Sequence, residues 1–258
     1  MTIAGSDPGG GAGIQADLKT FHRFGVYGTA AITALTAQNT VGVTGVHVPP
    51  AEFLDAQLAA LAEDLPPAAL KSGMLATPAV IEVVARRIHA HAWRPYVLDP
   101  VMVATSGDRL LDPAAERAIR ERLLPLAAVV TPNLDEAELL VGFPVRDLAA
   151  MRRAGQALLE LGAEAALLKG GHLGGDTLTD LLVTRAGERA WSRPRIATTS
   201  THGTGCTLSA AITAGLALGH PLEEAVDHAL SFVARAIASA PGLGRGHGPL
   251  DHFAGSRD

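Results

Sequence analysis

The sequence is poor in cysteine, in aromatic side chains and in charge of either sign. Cys206 is the one cysteine among 258 residues, which excludes an internal disulfide and is typical of a reducing compartment. We therefore expect a cytoplasmic protein. Aromatic residues make up 4% of the chain and the formal net charge is −5, so there is neither a basic surface that follows phosphates nor a platform for stacking bases. Nucleic acid is not expected as a partner.

Long apolar runs are missing as well. The longest apolar stretch, Leu208–Leu218, is interrupted by Ser209, Thr213 and Gly215, and it is shorter than the roughly 20 residues of a membrane span. The first cation is Lys19, and a glycine-rich stretch precedes it where a signal peptide would have its apolar core. We therefore expect neither a membrane partner nor a targeting segment.

Apolar residues overall are nevertheless plentiful. They make up 48% of the chain and charged residues 18%, against about 25% charged in typical globular proteins, so a large core is expected and intrinsic disorder is excluded. Short β-rich runs alternate with stretches of helical period, which predicts an α/β fold with a mostly parallel sheet covered by helices on both faces. The predicted strands are Thr2–Ala4, Thr29–Leu35, Gly45–Val48, Ala69–Ser72, Tyr96–Asp99, Ala128–Thr131 and Ala165–Lys169. We expect one domain over residues 1–258.

The last third of the chain has a different pattern. Residues 180–191, with Gly187 at the turn, predict a hairpin whose two antiparallel strands join the sheet near its later edge. Two apolar helices are predicted after it, Gly205–Leu218 and Pro221–Ala240. The glycine-rich residues 242–248 then predict a surface loop.

A first glycine-rich loop, residues 5–13, follows the opening strand and precedes a predicted helix, Ile14–Phe24. Ligands of open α/β sheets bind outside the carboxyl ends of the strands, and glycines let backbone N–H groups come close to a ligand. The glycines have the spacing of neither a dinucleotide fingerprint nor a phosphate-binding loop with lysine. This pattern predicts a ligand-binding loop, with a flexible turn as the alternative.

A second glycine-rich segment, residues 201–206, opens the predicted helix that follows it. The sequence there is Thr-His-Gly-Thr-Gly-Cys. Unpaired N–H groups and the helix dipole make such a start an anion site, and phosphate is its natural ligand. The same field can lower the pKa of Cys206 below its ordinary value of about 8.5. Two roles therefore stay open for Cys206, a catalytic thiolate or a small buried apolar side chain.

A third motif, residues 131–138, combines a strand end, a proline, the cap residue Asn133 and a first helical turn with three carboxylates. Favourable interaction with the helix dipole is a sufficient explanation for Asp135 and Glu138. Glu136 is ambiguous, because Asp99 ends another strand and the two carboxylates could face one crevice. Such a pair is suited to Mg²⁺, which takes one or two carboxylates beside phosphate oxygens and water.

The ten histidines show no zinc-binding spacing. His89 and His91 lie two apart in a predicted helix and therefore point to different faces. No H-E-x-x-H motif or Cys/His cluster occurs. A structural zinc site is not expected.

Taken together, the motifs resemble the hydroxymethylpyrimidine/phosphomethylpyrimidine kinases of thiamine biosynthesis, a branch of the ribokinase-like superfamily. The stretches that carry the resemblance are TIAGSDP at 2–8, GGAGIQAD at 10–17, ALTAQNT at 34–40, KSGML at 71–75, LDPVM at 98–102, TPN at 131–133, LKGGH at 168–172 and THGTGC at 201–206. They run from one end of the chain to the other. The resemblance implies a ribokinase-like three-layer fold and is compatible with a homodimer.

The resemblance also implies an activity and its residues. The γ-phosphoryl group of ATP would pass to the hydroxymethyl group of 4-amino-5-hydroxymethyl-2-methylpyrimidine, and a second one to the resulting monophosphate. The implied sites are a pyrimidine pocket of Gly5, Asp17, Gln38, Met74 and Val101; a nucleotide site of Asn133, Lys169, Thr201, Gly203 and Gly205; a Mg²⁺ region of Asp99 and Glu136; and a catalytic loop of Gly203, Thr204, Gly205 and Cys206, with Cys206 as general base. Gly9 departs from the pattern, since many relatives carry serine there.

Gln38 also fits this ligand on chemical grounds, because its amide is complementary to the ring nitrogen and amino group of an aminopyrimidine. A polar residue that ends a strand and caps a loop is the alternative. Two other functions remain open: a pyridoxal or pyridoxine kinase of the same superfamily, and a non-catalytic regulator that binds pyrimidine or nucleotide.

Overall fold

The structure is a computed structural model that describes residues 1–102, 113–172 and 176–255. Its strands are β1 (Thr2–Ser6), β2 (Ala30–Gln38), β3 (Val43–His47), β4 (Leu70–Ser72), β5 (Tyr96–Leu98), β6 (Val129–Val130), β7 (Ala165–Leu168), β8 (Thr177–Thr184) and β9 (Gly187–Pro194). Its α-helices are α1 (Gly13–Arg23), α2 (Ala51–Asp64), α3 (Pro78–Ala90), α4 (Pro113–Ala118), α5 (Leu134–Val141), α6 (Leu148–Glu160), α7 (Thr204–Ala217) and α8 (Leu222–Ala238). A π-helical segment (Ile119–Leu123) and a 3-10 turn (Leu124–Leu126) continue α4, and a second 3-10 turn (Gly170–His172) follows β7.

The strands form one sheet in the order β3-β2-β1-β4-β5-β6-β7-β8-β9. Six adjacent strands of this sheet run parallel to one another: β2, β1, β4, β5, β6 and β7. β3 is antiparallel at one edge, and β8 and β9 are antiparallel at the other. The predicted mostly parallel sheet with a late antiparallel hairpin is therefore confirmed. Because the carboxyl ends of the parallel strands meet at one edge of the sheet, the loops that follow them are brought together.

The central strands contribute side chains to both faces in alternation. Leu98, Val130 and Leu168 belong to a core that packs under α2 to α6. Their immediate neighbours Val97, Val129 and Leu167 belong to a second core under α7 and α8. A period of two along each strand produces this division, and burial on both faces explains why the strands are continuously apolar.

Helix α1 lies on the same face as α7 and α8. Phe21 of α1 packs against Ala210 and Ala214 of α7, and the Phe24 ring meets the Phe232 ring edge-on, with centroids 5.3 Å apart. Helices thus cover both faces of the sheet, as predicted. None of the described helices is both long and apolar enough to cross a membrane.

The end of β2 differs from the prediction, because the strand continues past Leu35 to Gln38. Its last residues pair with β3, with an irregularity between Ala37 and Gln38. This pairing leaves no apolar pattern in the sequence, because every residue of the partner strand β3 is exposed. The loop at 242–248 lies against this hairpin, where the N–H of His247 donates to the carbonyl of Thr40 at 2.8 Å.

Candidate active site

A cleft of about 730 Å³ opens at the carboxyl ends of the parallel strands. The predicted site residues that line it are Gly5, Gln38, Met74, Asp99, Val101, Asn133, Glu136, Lys169, Thr201, Gly203, Thr204, Gly205 and Cys206. Gly5 and Gln38 lie at the carboxyl ends of β1 and β2, and Glu136 lies in the first turn of α5. The others come from the loops after β4, β5, β6 and β7 and from the start of α7. Asp17, expected in the pyrimidine pocket, is not part of this lining.

The start of α7 leaves backbone donors available to a ligand. Gly203 is the N-cap and has a left-handed conformation, with φ of 81°. A side chain there would be excluded in any case, because an added Cβ would lie 1.8 Å from the carbonyl oxygen of Gly11. Thr204 is satisfied within the loop, since its N–H and hydroxyl both donate to the Thr201 carbonyl. Within the described part of the chain, the N–H groups of Gly205 and Cys206 have no protein acceptor, which is the arrangement expected of an anion site.

Cys206 lies in the first turn of α7 and is half-buried. Burial raises the pKa of its thiol to about 11. The positive charge of Lys71 and a hydrogen bond from the backbone N–H of Gly13 favour the thiolate, while the carboxylates of Asp17 and Asp99 disfavour it. The expectation that the helix start lowers this pKa is therefore wrong, because the loss of hydration outweighs the favourable field.

Lys169 lies between two buried carboxylates. Its Nζ is 3.3 Å from Asp99 Oδ1 and 3.7 Å from Glu136 Oε2. Burial raises the pKa of Glu136 to about 7, although Lys169 opposes this shift and Asp99 adds to it. For Asp99 the balance is reversed: burial would raise its pKa, but the charges of Lys169 and Lys71 hold it below the ordinary value. Gly205 permits this close packing, because an added Cβ would lie 3.3 Å from Lys169 Nζ.

Glu136 also has a capping role, which the sequence analysis did not predict. Its Oε2 accepts from the Asn133 N–H at 2.8 Å, while the Asn133 side chain accepts from the Glu136 N–H at 2.9 Å. This reciprocal pair is a capping box that fixes the start of α5. Mg²⁺ prefers oxygen ligands such as carboxylates, so the side chains of Asp99 and Glu136 are of a suitable type for this ion. Both carboxylates already contact Lys169, and that of Glu136 also accepts from the Asn133 N–H.

Asp17 has a different environment from the one expected. It is fully buried on α1, where Oδ1 accepts from Lys71 Nζ at 2.8 Å and Oδ2 accepts from the Thr2 hydroxyl at 2.6 Å. Lys71, on β4, is fully buried too. Burial alone would lower the pKa of Lys71, but Asp17, Cys206 and Asp99 together outweigh this effect and the pKa is raised. This ion pair therefore lies behind the wall of the cleft, within electrostatic reach of Cys206.

The profile of the phosphomethylpyrimidine kinase family matches residues 7–251. The chain belongs to this family. A hydroxymethylpyrimidine/phosphomethylpyrimidine kinase of Rhizobium meliloti is 52% identical over 258 residues, covering 98% of this chain and 96% of the relative. The thiamine biosynthesis bifunctional protein ThiED of Geobacter sulfurreducens is 47% identical over 258 residues, and this chain spans 53% of that protein. The family resemblance and the kinase class inferred from the motifs are confirmed.

Solved structures place the phosphomethylpyrimidine kinase family beside pyridoxal kinases. A phosphomethylpyrimidine kinase of Clostridium difficile 630 superposes with a TM-score of 0.83 at 42% identity, over 92% of this chain and 97% of that one. An ADP complex of Bacillus subtilis pyridoxal kinase superposes with a TM-score of 0.92 at 37% identity, over 100% of this chain and 98% of that one. The predicted ribokinase-like fold is confirmed by these neighbours.

In this member of the phosphomethylpyrimidine kinase family, the cleft includes groups that the sequence analysis missed. One is an apolar compartment formed by Ile196, Leu208, Leu230, Val233 and Ile237. Its residues come from the segment after β9 and from α7 and α8, where they are indistinguishable in sequence from core positions.

Arg193 is a second group that was missed. It lines the cleft and pairs with Asp180 through Nη2. Its other terminal nitrogen, Nη1, is buried without a hydrogen-bond partner among the described residues. The position of Arg193 on an antiparallel edge strand gave no signal, since surface strands commonly carry arginine.

Proposed function

We propose that the protein phosphorylates 4-amino-5-hydroxymethyl-2-methylpyrimidine at its hydroxymethyl group and then phosphorylates the monophosphate, with ATP as donor in both steps. The observation that carries this proposal is the convergence in one cleft of an amide for the pyrimidine, free helix-start donors for a phosphate, and the thiol of Cys206. The family membership supports the same reaction.

The substrate end of the cleft is formed by Gln38 with Gly5, Met74 and Val101. The Gln38 amide accepts from the Thr36 hydroxyl at 3.1 Å. An amide offers two donor hydrogens and two acceptor lone pairs, so capacity remains to pair with the ring nitrogen and the amino group of an aminopyrimidine. Met74 and Val101 supply apolar contacts for the ring faces.

The nucleotide end combines neutralising charge with the apolar compartment. Phosphoryl transfer depends chiefly on positioning and on stabilising spread negative charge. We assign the N–H groups of Gly205 and Cys206 and the Lys169 ammonium to the transferring phosphoryl group. The compartment around Leu208 and Val233 is suited to a flat apolar base, and Arg193 Nη1 is suited to an oxygen of the same nucleotide.

Asp99 and Glu136 would hold Mg²⁺ that arrives with the nucleotide, and the ion would neutralise phosphate charge. Because Lys169 already contacts both carboxylates, we assign them a water-mediated role, which is common for an ion that keeps several waters. Lys169 holds the two carboxylates at fixed positions and so orders this side of the cleft.

Cys206 is the group we assign to take the proton of the hydroxymethyl oxygen. A thiol with a pKa of about 11 is ionised in about one molecule in 10⁴ at pH 7. The first phosphorylation should therefore accelerate as the pH rises. The monophosphate, whose second pKa is about 6, is already an anionic nucleophile, so the second phosphorylation does not need this base.

Comparison of acceptors tests the proposal directly. ADP release with the aminopyrimidine alcohol, pyridoxal and ribose should show the highest kcat/KM for the aminopyrimidine. The pyridoxal kinase neighbours make pyridoxal the second candidate, and a preference for it would replace the proposed substrate. Binding of the aminopyrimidine without ADP formation under saturating ATP and Mg²⁺ would indicate a non-catalytic regulator.

A further inference from the structure

Two histidines and a glutamate converge at the junction of α7 and α8, away from the cleft. His220 Nδ1 lies 2.7 Å from Glu224 Oε1. The His220 and His228 rings meet edge-on, with centroids 5.6 Å apart and an interplanar angle of 85°. One ligand atom from each of the three residues lies within 4.8 Å of the other two.

The convergence follows from the backbone. Glu224 and His228 are four residues apart on α8 and therefore share a face of that helix. His220 precedes the helix, and its N–H donates to the Gly215 carbonyl at 3.1 Å. Gly219, with φ of 85°, turns the chain so that the His220 ring comes back over the α8 face. This arrangement could not be predicted from sequence spacing. In one continuous helix His220 and His228 would lie two turns apart, but His220 precedes α8.

We propose that His220, Glu224 and His228 bind a divalent transition-metal ion, for which Zn²⁺ is the best match. Two imidazoles with one carboxylate are a ligand set that suits zinc, and water commonly completes the tetrahedron. Bonds of about 2.0–2.1 Å place neighbouring ligand atoms of a tetrahedron on the order of 3.3 Å apart. Small rotations of the exposed side chains reach that separation, since His220 and Glu224 are 36% and 46% exposed.

The local charge favours a cation. Glu223 and Asp227 lie on α8 beside the three ligands, and Arg189 pairs with both at 3.3 Å and 3.7 Å. The carboxylates of Glu223, Glu224 and Asp227 therefore outnumber this cation. Mg²⁺ is a poor competitor here, because it prefers oxygen ligands in an octahedron. The expectation of no structural zinc site was based on sequence motifs, and the proposed site departs from it.

A bound ion would join the turn before α8 to the first turns of that helix. The three residues do not line the cleft, so the proposal is independent of the kinase reaction. Its readouts are metal affinity and thermal stability. An ion that binds the folded chain in preference to the unfolded chain raises the unfolding temperature.

Calorimetric titration of untagged, chelator-stripped protein with Zn²⁺ at pH 7.5 tests the site, and titration with Co²⁺ adds a visible absorption band that reports tetrahedral ligation. We expect one ion per chain. H220A and H228A should each weaken binding at least tenfold and abolish the rise in unfolding temperature. E224Q should weaken it less, because an amide oxygen remains.

H89A is the matched control, since it removes an exposed histidine from α3. It should bind Zn²⁺ as the unaltered protein does. The proposal is overturned if the unaltered protein and the H220A/H228A double variant give the same titration, or if H89A loses as much affinity as H220A. Circular dichroism of each variant establishes that a lost site does not come from a lost fold.

Discussion

His202 Nε2 lies 2.9 Å from Asp7 Oδ2, which joins the loop that starts α7 to the glycine-rich loop after β1. The Asp7 carboxylate also accepts from the N–H groups of Gly9 and Ala12, at 2.8 Å and 2.9 Å. Burial would raise the pKa of Asp7, but the contacts with His202 and these N–H groups hold it below its ordinary value. His202 Nε2 is also 3.4 Å from Gln38 Nε2. One histidine therefore joins the two glycine loops and lies beside the substrate end of the cleft.

Replacement of His202 should impair catalysis through the position of the two loops. Hydrogen bonds to charged groups contribute about 1.5–3 kcal/mol, so His202→Ala should lower kcat/KM for the aminopyrimidine roughly 10- to 100-fold. His202→Asn keeps a donor and should recover part of the loss. His22→Ala removes an exposed histidine on α1 and should leave kcat/KM unchanged. Equal kinetics for His202→Ala and the unaltered protein would contradict this role.

The thiol pKa predicts how Cys206 reacts with alkylating agents. Thiolate is the reacting form, and a folded pKa of about 11 exceeds the ordinary value of about 8.5. The alkylation rate should therefore rise about tenfold for each pH unit between pH 7 and pH 10 without levelling off. An unperturbed cysteine would level off above about pH 9. Mass spectrometry of Cys206 after timed iodoacetamide treatment measures this rate, and a plateau below pH 9 would contradict the burial argument.

The Lys71–Asp17 pair predicts strongly coupled stability effects. Removing one partner leaves the other as an uncompensated buried charge, at a cost of about 3–5 kcal/mol. Lys71→Met and Asp17→Asn should each lower the free energy of unfolding by about this amount, and the double variant should recover much of it. Denaturant unfolding of the four proteins measures the coupling. Additive effects would mean that the pair is not an energetic unit.

The strands and the loop motifs could be predicted from the sequence because their signals are local. Buried parallel strands such as β5 and β7 are short apolar runs, and the anion loop before Thr204 is recognised from its own glycines. The edge strand β3 was found, but its antiparallel pairing with the end of β2 was not, since β3 is exposed throughout and has no core-facing pattern. The extension of β2 to Gln38 depends on that pairing.

The features of the site that could not be predicted depend on contacts between distant residues. His202 and Asp7 are 195 positions apart, and nothing in the sequence around either residue predicts their contact. In the sequence, Lys71 is an ordinary strand residue. Its burial could not be predicted, because it depends on the pairing of β4 with β1. The high pKa of Cys206 could not be predicted for the same reason. The sequence shows that the residue starts a helix, but its loss of hydration depends on distant residues that bury it.

The amide of Gln38 predicts a specificity change. Gln38→Leu would leave the ring nitrogen and amino group of a bound aminopyrimidine unpaired, which costs about 1–3 kcal/mol. Its kcat/KM for the aminopyrimidine should fall roughly 5- to 100-fold, whereas that for pyridoxal, which lacks the amino group, should fall less. Gln38→Glu keeps the acceptor and loses the donor, so its effect should lie between. An equal loss of kcat/KM for both acceptors would show that Gln38 supports the loop and does not form specific hydrogen bonds with the aminopyrimidine.

Cys206→Ala should separate the two phosphorylations. The alcohol must lose a proton to the proposed base, so its rate should fall roughly 10²–10⁴-fold. The monophosphate is already ionised near pH 7, so its rate should fall less than about tenfold. Cys206→Ser serves as the control for size, since it keeps a polar group with no accessible ionisation. Single-turnover measurements with each acceptor give the two rates separately. An equal loss in both steps would mean that Cys206 positions the phosphoryl group and does not accept the proton.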